Sequence, residues 1–229
     1  MDYDKLEHAL RHDPEGAAPA ELRASVVGAL EDIASGARPL RAVRHPLGFL
    51  CLPLLRDGAR GICLHLFESG GAGGADGAPV EPLAAPMHAH SWELLSHVLY
   101  GRVANLPVRV TEDAARPTHR IYEVRSEPGG VDELLPTQRL VRGEPGPEHT
   151  SSGGETYAMA AGEFHATVVA KGSPAATLVL GRSLPGRSDL SLGPLHGDRH
   201  RMVRRLCGAG HTERTVRTAL RRIHAEQRD

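Results

Sequence analysis

Residues 86–101 have the sequence PMHAHSWELLSHVLYG, in which a mainly apolar run follows a pair of histidines. Side chains two positions apart on an extended strand point to the same face of a sheet. His88 and His90 can therefore direct both imidazoles at one point inside a barrel. Because two histidines alone bind a divalent metal weakly, a third ligand is expected from another part of the chain.

A second segment supplies a candidate for this third ligand. Residues 155–172 read ETYAMAAGEFHATVVAKG, and His165 lies three positions after Gly162. Glycine and proline separate nine short β-type runs between residues 47 and 181, a pattern typical of a sandwich or barrel. We therefore predict a mainly β fold that binds one divalent metal ion through His88, His90 and His165.

The two segments resemble the sequence motifs of the cupin superfamily. The first cupin motif has an HxH pair, an acidic or amide residue shortly after it, and a glycine that ends the strand. The second motif has a glycine followed closely by a histidine. The matching residues here are His88, His90, Glu93, Gly101, Gly162 and His165. The resemblance covers residues 45–185 and implies the cupin double-stranded β-helix, a jelly-roll barrel, with flanking N- and C-terminal helices.

The position of Glu93 bears on the type of metal site. In cupins with a carboxylate or glutamine ligand, that ligand usually lies four or five positions beyond the second histidine, whereas Glu93 is three beyond His90. On a regular strand this spacing places Glu93 on the opposite face, so that only a β-bulge would bring it to the metal. We expect an all-histidine site, with Glu93 in a supporting hydrogen bond or an ion pair.

A three-histidine site without a carboxylate is similar to the thiol dioxygenase branch of the cupins, which includes cysteine dioxygenase and 3-mercaptopropionate dioxygenase. The stretches CLHLFESG, residues 63–70, and PMHAHSW, residues 86–92, look like that branch. The resemblance implies a non-haem Fe(II) dioxygenase that acts with O₂ on a small thiol- or carboxylate-bearing metabolite. Three neutral imidazoles would leave the ion its full charge and open positions for such a substrate.

The ligand set leaves two other functions open. With Zn²⁺, Ni²⁺ or Mn²⁺ in place of Fe(II), Lewis-acid chemistry is expected, as in a lyase, isomerase or hydrolase. The other alternative is a ligand-sensing or binding cupin without catalysis, whose C-terminal helices contact a partner protein.

Four other side chains are candidates for roles near the metal. Tyr157 lies on the second motif and can donate a proton or hydrogen bond to a bound substrate, so Tyr157 and Glu93 are the candidate catalytic residues. Trp92 shares the strand face of the two motif histidines and is predicted either to wall the substrate pocket or to lie in the core. Arg102 is predicted to bind a substrate carboxylate or to form a structural ion pair.

The three cysteines are Cys51, Cys63 and Cys207, and none is interpreted as part of a zinc knuckle or a redox pair. Cys63 shares a strand face with His65, yet a buried free cysteine most often acts as a small apolar filler. Free cysteines are typical of a reduced compartment, and no apolar run reaches the length of about 18 residues that spans a membrane. We therefore expect a cytoplasmic protein.

Charge and composition bear on the partners. The formal net charge of -1 gives no general attraction to nucleic acid or to an anionic membrane. The arginines near the C-terminus match no nucleic-acid-reading motif and are expected to form the solvated face of a helix packed on the barrel or on a second subunit. They are Arg199, Arg201, Arg204, Arg205, Arg214, Arg217, Arg221, Arg222 and Arg228. We predict a small-molecule substrate, no nucleic acid, no membrane and a homodimer.

The regions at either end of the β-rich part are predicted to be helical. Apolar spacing predicts helices over 4–12 and 20–35, and again over 199–207 and 212–227, the last beginning with Thr212 as its N-cap.

The order of these predicted helices and strands divides the chain into three segments and one long loop. The glycine-rich stretch 69–82 is expected to be a surface loop that can cover the metal site as a flap. The predicted organisation is an N-terminal helical segment at 1–45, a cupin β-barrel domain at 46–190 and an Arg-rich helical extension at 191–229.

Overall fold

The structure is a computed structural model that describes residues 1–12, 20–68, 87–127 and 129–226. The predicted loop and flap at 69–82 lies outside the described residues. Within them the chain forms three helices: α1 (Tyr3–His12), α2 (Ala20–Ser35) and α3 (Ala209–Glu226). The strands, in chain order, are β1 (Val43–Arg44), β2 (Leu50–Asp57), β3 (Arg60–Phe67), β4 (His88–Ala89), β5 (Trp92–Tyr100), β6 (Arg102–Glu112), β7 (His119–Glu127), β8 (Val131–Pro145), β9 (His149–Ser152), β10 (Thr156–Met159), β11 (His165–Val168), β12 (Ala175–Ser183), β13 (Asp189–Gly193), β14 (His200–Val203) and β15 (Arg205–Leu206).

The strands form two antiparallel sheets. Sheet A has the order β10-β5-β12-β3-β2-β1-β15, and sheet B has the order β14-β8-β7-β13-β4-β11-β6-β9. Side chains from both sheets line one cavity, so the sheets face each other as the two walls of a barrel. The described residues thus form a mainly β barrel of two facing antiparallel sheets. The predicted mainly β jelly roll with helices at both ends is thereby confirmed.

The main hydrophobic core lies outside the barrel, between sheet A and the helices. Residues alternate along β2 and β3, so that side chains such as Leu52 and Leu64 are fully buried on one face. This face packs with α2 and α3, which contribute Val26 and Val216 to the same cluster. The opposite face of both strands is left free to line the cavity.

Gly101 forms the corner that joins the two sheets. It connects β5 of sheet A to β6 of sheet B and has a φ of 78°, in the left-handed region that glycine adopts without strain. A Cβ at this position would overlap the carbonyl oxygen of Pro174. The glycine that ends the first motif is therefore required both for the turn and for the close approach of a second backbone segment.

The prediction of a helix over 199–207 is wrong. This segment forms β14 and β15, which pair with β8 and β1 respectively. The arginines there are compatible with a strand, because Arg201 is exposed whereas its neighbour Met202 is buried. Pairing with existing sheet edges thus overrides the weak helical spacing.

The C-terminal helix is present, but it begins at Ala209, so Thr212 is not its N-cap. Thr212 is buried in the first turn, where its hydroxyl donates to the Gly208 carbonyl and accepts from the Ala42 amide at 3.1 Å. Strands also extend beyond the predicted barrel limits of 46–190. Strand β1 lies before residue 46, β13 crosses residue 190, and β14 and β15 lie after it. No helix in the described part of the chain is long and apolar enough to cross a membrane.

Candidate metal centre

Backbone pairing brings the three predicted histidines together. Strands β4 and β11 are antiparallel neighbours in sheet B, with His165 directly opposite His88. The ring centroids lie 4.4 Å apart for His88 and His165, 4.7 Å for His88 and His90, and 5.2 Å for His90 and His165. One ring nitrogen of each histidine lies within 4.8 Å of those of the other two. We call this set the imidazole centre.

The surroundings keep the imidazoles of His90 and His165 neutral. Burial, followed by the neighbouring His88 and His165, holds the pKa of His90 well below its usual value, and burial lowers the pKa of His165 to about 4. The Nδ1 of His165 lies 3.2 Å from the Glu163 carbonyl oxygen, which can only accept, so Nδ1 carries the hydrogen. The lone pair of Nε2 is then available to a metal.

The donor set fits a divalent transition metal. Neutral imidazole nitrogens bind Fe(II), Ni²⁺ and Zn²⁺ in proteins, and three of them leave further positions open to exogenous ligands. Among the described residues, no carboxylate belongs to this cluster. The arrangement can hold a divalent ion, and the chemistry available at it depends on which ion binds.

The imidazole centre opens into a cavity of about 540 Å³ between the sheets. Sheet A contributes the side chains of Cys51, Cys63, Thr177 and Val179 to its walls, and sheet B contributes Thr167 and Asp189. The volume is in the range of small-molecule pockets, which supports a site for a small ligand.

Trp92 and Tyr157 both line this cavity. The Trp92 ring lies over His90 at 4.2 Å between centroids, so it walls the pocket beside the centre. Burial raises the pKa of Tyr157, while the neighbouring polar groups of Ser96 and Asn105 lower it in part. The phenol therefore keeps its proton at neutral pH and can act as a hydrogen-bond donor.

Glu93 and Arg102 are not brought to the centre. Glu93 lies opposite Arg182 in the sheet, on the other face of β5 from the cavity-lining Trp92 and Leu94. The strand is regular at this point, so no bulge turns Glu93 inward. Arg102 is exposed at the start of β6, where alternation buries its neighbour Val103 instead. Neither side chain is in place to contact a ligand in the cavity.

Several residues that line the cavity were not predicted from the sequence. The His45 ring stacks on Phe49 at 4.3 Å, and burial, followed by the positive potential of His65, keeps its pKa well below the usual value. The Asp189 carboxylate accepts a hydrogen bond from the Ser91 backbone amide at 2.6 Å, which fixes the chain directly after His90. These positions depend on strand pairing, and no motif in the sequence indicates them.

A second cluster of metal-ligand side chains occupies sheet A. The donor atoms of Cys51, Cys63 and His65 all lie within 4.8 Å of one another. The hydrogen bond with Cys51 lowers the pKa of Cys63 to about 4 against the opposing effect of burial, and the hydrogen bond with His65 adds to the lowering. Cys63 therefore lies on the cavity wall beside a second thiol and an imidazole. We call these three residues the thiol cluster.

Comparisons with known proteins give little further information. No family model matches the chain, and no curated protein matches it either. Among solved structures, a chain from crystal structures of the DMSP lyases RdDddP and RnDddQII is 17% identical over 87% of this chain and 78% of that chain, with a TM-score of 0.37. At this TM-score the likeness carries no weight for the chemistry of this protein.

Proposed function

We propose that the protein is a non-haem Fe(II) dioxygenase that oxidises a small thiol- or carboxylate-bearing metabolite. The observation behind the proposal is that three imidazoles converge, without a carboxylate among the described residues, on the wall of a substrate-sized cavity. A neutral ligand set leaves the ion its full positive charge, which favours an anionic substrate. Ferrous iron in this set would supply the binding and activation of O₂.

The cavity carries groups suited to an anionic substrate. Arg56 and Arg204 both line it, and the Arg204 guanidinium is held by Asp132 at 2.8 Å. A guanidinium fixed in this way offers its remaining N–H groups to a carboxylate. Trp92 and Phe49 bound the space, which limits the substrate to a small molecule.

Tyr157 is the proposed proton donor of the reaction. Its phenol is protonated and lies on the cavity wall, with Ser96 and Asn105 as polar neighbours. A substrate atom in the cavity can receive a hydrogen bond from this hydroxyl group. Replacing Tyr157 with Phe should lower turnover more than it lowers metal content.

Metal content and O₂ consumption test the proposal together. Protein purified without added metal should contain iron and should consume O₂ in the presence of one class of thiol or carboxylate substrates. His88→Ala should lose both properties, whereas His149→Ala, an exposed histidine on β9, should retain both.

The same donor set also fits Zn²⁺, which takes three histidines in known catalytic sites. Bound zinc with no O₂ uptake across thiol and keto-acid panels would overturn the dioxygenase. It would favour a redox-inert cupin that acts as a lyase, isomerase or hydrolase.

A further inference from the structure

We infer that the cavity contains a second metal site, in which Cys51, Cys63 and His65 bind a thiophilic d¹⁰ cation of the Zn²⁺ type. This site lies on sheet A, whereas the imidazole centre lies on sheet B. It does not depend on the proposed dioxygenase activity, and the two can be tested separately.

The strand register places the three donors together. Strands β2 and β3 are antiparallel neighbours, with Cys51 directly opposite His65. Cys63 is two positions before His65 on the same face of β3, so it is the diagonal neighbour of Cys51. Their donor atoms lie within 4.8 Å of one another. Tetrahedral zinc holds sulfur at about 2.3 Å and nitrogen at about 2.0 Å, so its ligand atoms are about 3.5–3.8 Å apart. Small side-chain rotations would bring the donor atoms, now within 4.8 Å of one another, to these shorter separations.

The position of the two cysteines argues against a packing role. On β2 and β3 the face that meets the helices consists of leucine and isoleucine, including Leu52, Ile62 and Leu64. A cysteine that only fills space belongs in that core, yet Cys51 and Cys63 both face the cavity. The ring of His65 is held by Phe49, with centroids 4.5 Å apart, so the third donor is oriented before any ion arrives.

The chemistry of the donors selects the ion. On binding, the Cys51 thiol releases its proton to solvent, both cysteines form metal–sulfur bonds as thiolates, and His65 binds as the neutral imidazole. Two thiolates then balance the charge of a divalent cation. Sulfur ligands favour Zn²⁺ over the harder ions that suit oxygen donors. Three protein ligands leave a fourth tetrahedral position, which here faces the cavity, as in catalytic rather than structural zinc sites.

Cobalt titration tests the site, because Co²⁺ replaces Zn²⁺ and gives a thiolate-to-cobalt charge-transfer band in the near ultraviolet. Chelator-stripped, fully reduced protein is titrated without oxygen and followed by absorbance and metal analysis. Wild type should bind about two equivalents of Co²⁺ and show the band, and Zn²⁺ should displace cobalt and remove the band. Loss of an outer-sphere partner already costs 10–100-fold in affinity, so Cys51→Ser, Cys63→Ser and His65→Gln should each weaken this site by more than about 100-fold.

Two variants separate the sites and serve as controls. His165→Ala should lose the imidazole centre but keep the charge-transfer band, so failure of the dioxygenase proposal leaves this inference intact. Cys207→Ala removes the remaining cysteine, which is buried in the helical core, and should leave the band unchanged. Thermal unfolding confirms that each variant folds. The inference is wrong if reduced wild type shows no band, or if the band survives in both Cys51→Ser and Cys63→Ser.

Discussion

The imidazole centre and the thiol cluster occupy opposite walls of one cavity, and they differ in how visible they are in the sequence. Each is a set of three donors within 4.8 Å of one another. The imidazole centre combines residues far apart in the chain, yet it was predicted from the sequence. The thiol cluster spans only residues 51–65 and was missed. Closeness in sequence is therefore less informative than a spacing that matches a known motif.

The two walls also differ in charge and in support. The imidazole centre uses imidazole nitrogens on, or directly after, short strands of sheet B, whereas the thiol cluster can supply two anionic sulfurs from long strands of sheet A. Helices α2 and α3 back sheet A through the main core. Variants that affect one wall and leave the other unchanged can therefore test whether the two sites are independent.

The largest expected effect comes from His88→Ala combined with His165→Ala. Removing two of three nitrogens should abolish metal binding at the imidazole centre and reduce O₂ uptake to background, a loss of more than about 100-fold. Thiol titration should be the same as in wild type. A change in the reactivity of Cys63 would show that the two walls are coupled.

Gly101→Ala should disturb both walls, because this residue is the corner between the sheets. The added Cβ meets the Pro174 carbonyl and must also adopt a left-handed conformation, so we expect a loss of about 3 kcal/mol in the free energy of unfolding. Gly172→Ala is the matched control, since its φ is 84° but nothing lies within 4 Å of the added carbon. That variant should lose about 1 kcal/mol in chemical denaturation.

Gly181→Ala should weaken the imidazole centre alone. A Cβ at this position would lie 2.9 Å from the Trp92 ring, which rests on His90. Displacing the ring should lower metal affinity by about tenfold, as for loss of a supporting contact. Gly61, its partner across β12 and β3, is the control, because there the added carbon meets the flexible end of Arg56. Equal effects of Gly181→Ala and Gly61→Ala on metal affinity, measured by titration, would contradict this explanation.

The smallest expected effect is a decrease in the free energy of unfolding at low pH. His45, His90 and His165 have pKa values below that of the unfolded chain, near 6.5, and that of His165 is about 4. Between these values the unfolded state binds more protons than the folded state, so the metal-free protein should lose stability as pH falls from about 6.5 towards 4. Urea denaturation across this range should show the loss. In the variant His45→Asn, the free energy of unfolding should fall less steeply with decreasing pH. A flat profile would contradict the neutral state of these imidazoles.

The sequence predicted the parts of the fold that follow from local periodicity. Each of the nine β-type runs corresponds to a strand, and the helices at 4–12 and 20–35 agree with α1 and α2. His88 and His90 share a site because residues two apart on a strand share a face, and His165 was found through the second motif.

The remaining features depend on pairing between distant segments. The contact of Cys51 with His65 depends on the register of β2 against β3, which includes a bulge between Pro53 and Leu55. The strands at 200–206 replaced a predicted helix because they complete the edges of both sheets. The outward position of Arg102 likewise follows from where Gly101 turns the chain. No local pattern contains this information.

The position of the hydrophobic core outside the barrel separates the requirements of folding from those of ligand recognition. Most of the apolar burial that stabilises the protein lies between sheet A and its helices, away from the cavity. Side chains on the inner wall can therefore be exchanged at little cost in stability, so the specificity of such a barrel is free to diverge during evolution while its architecture persists.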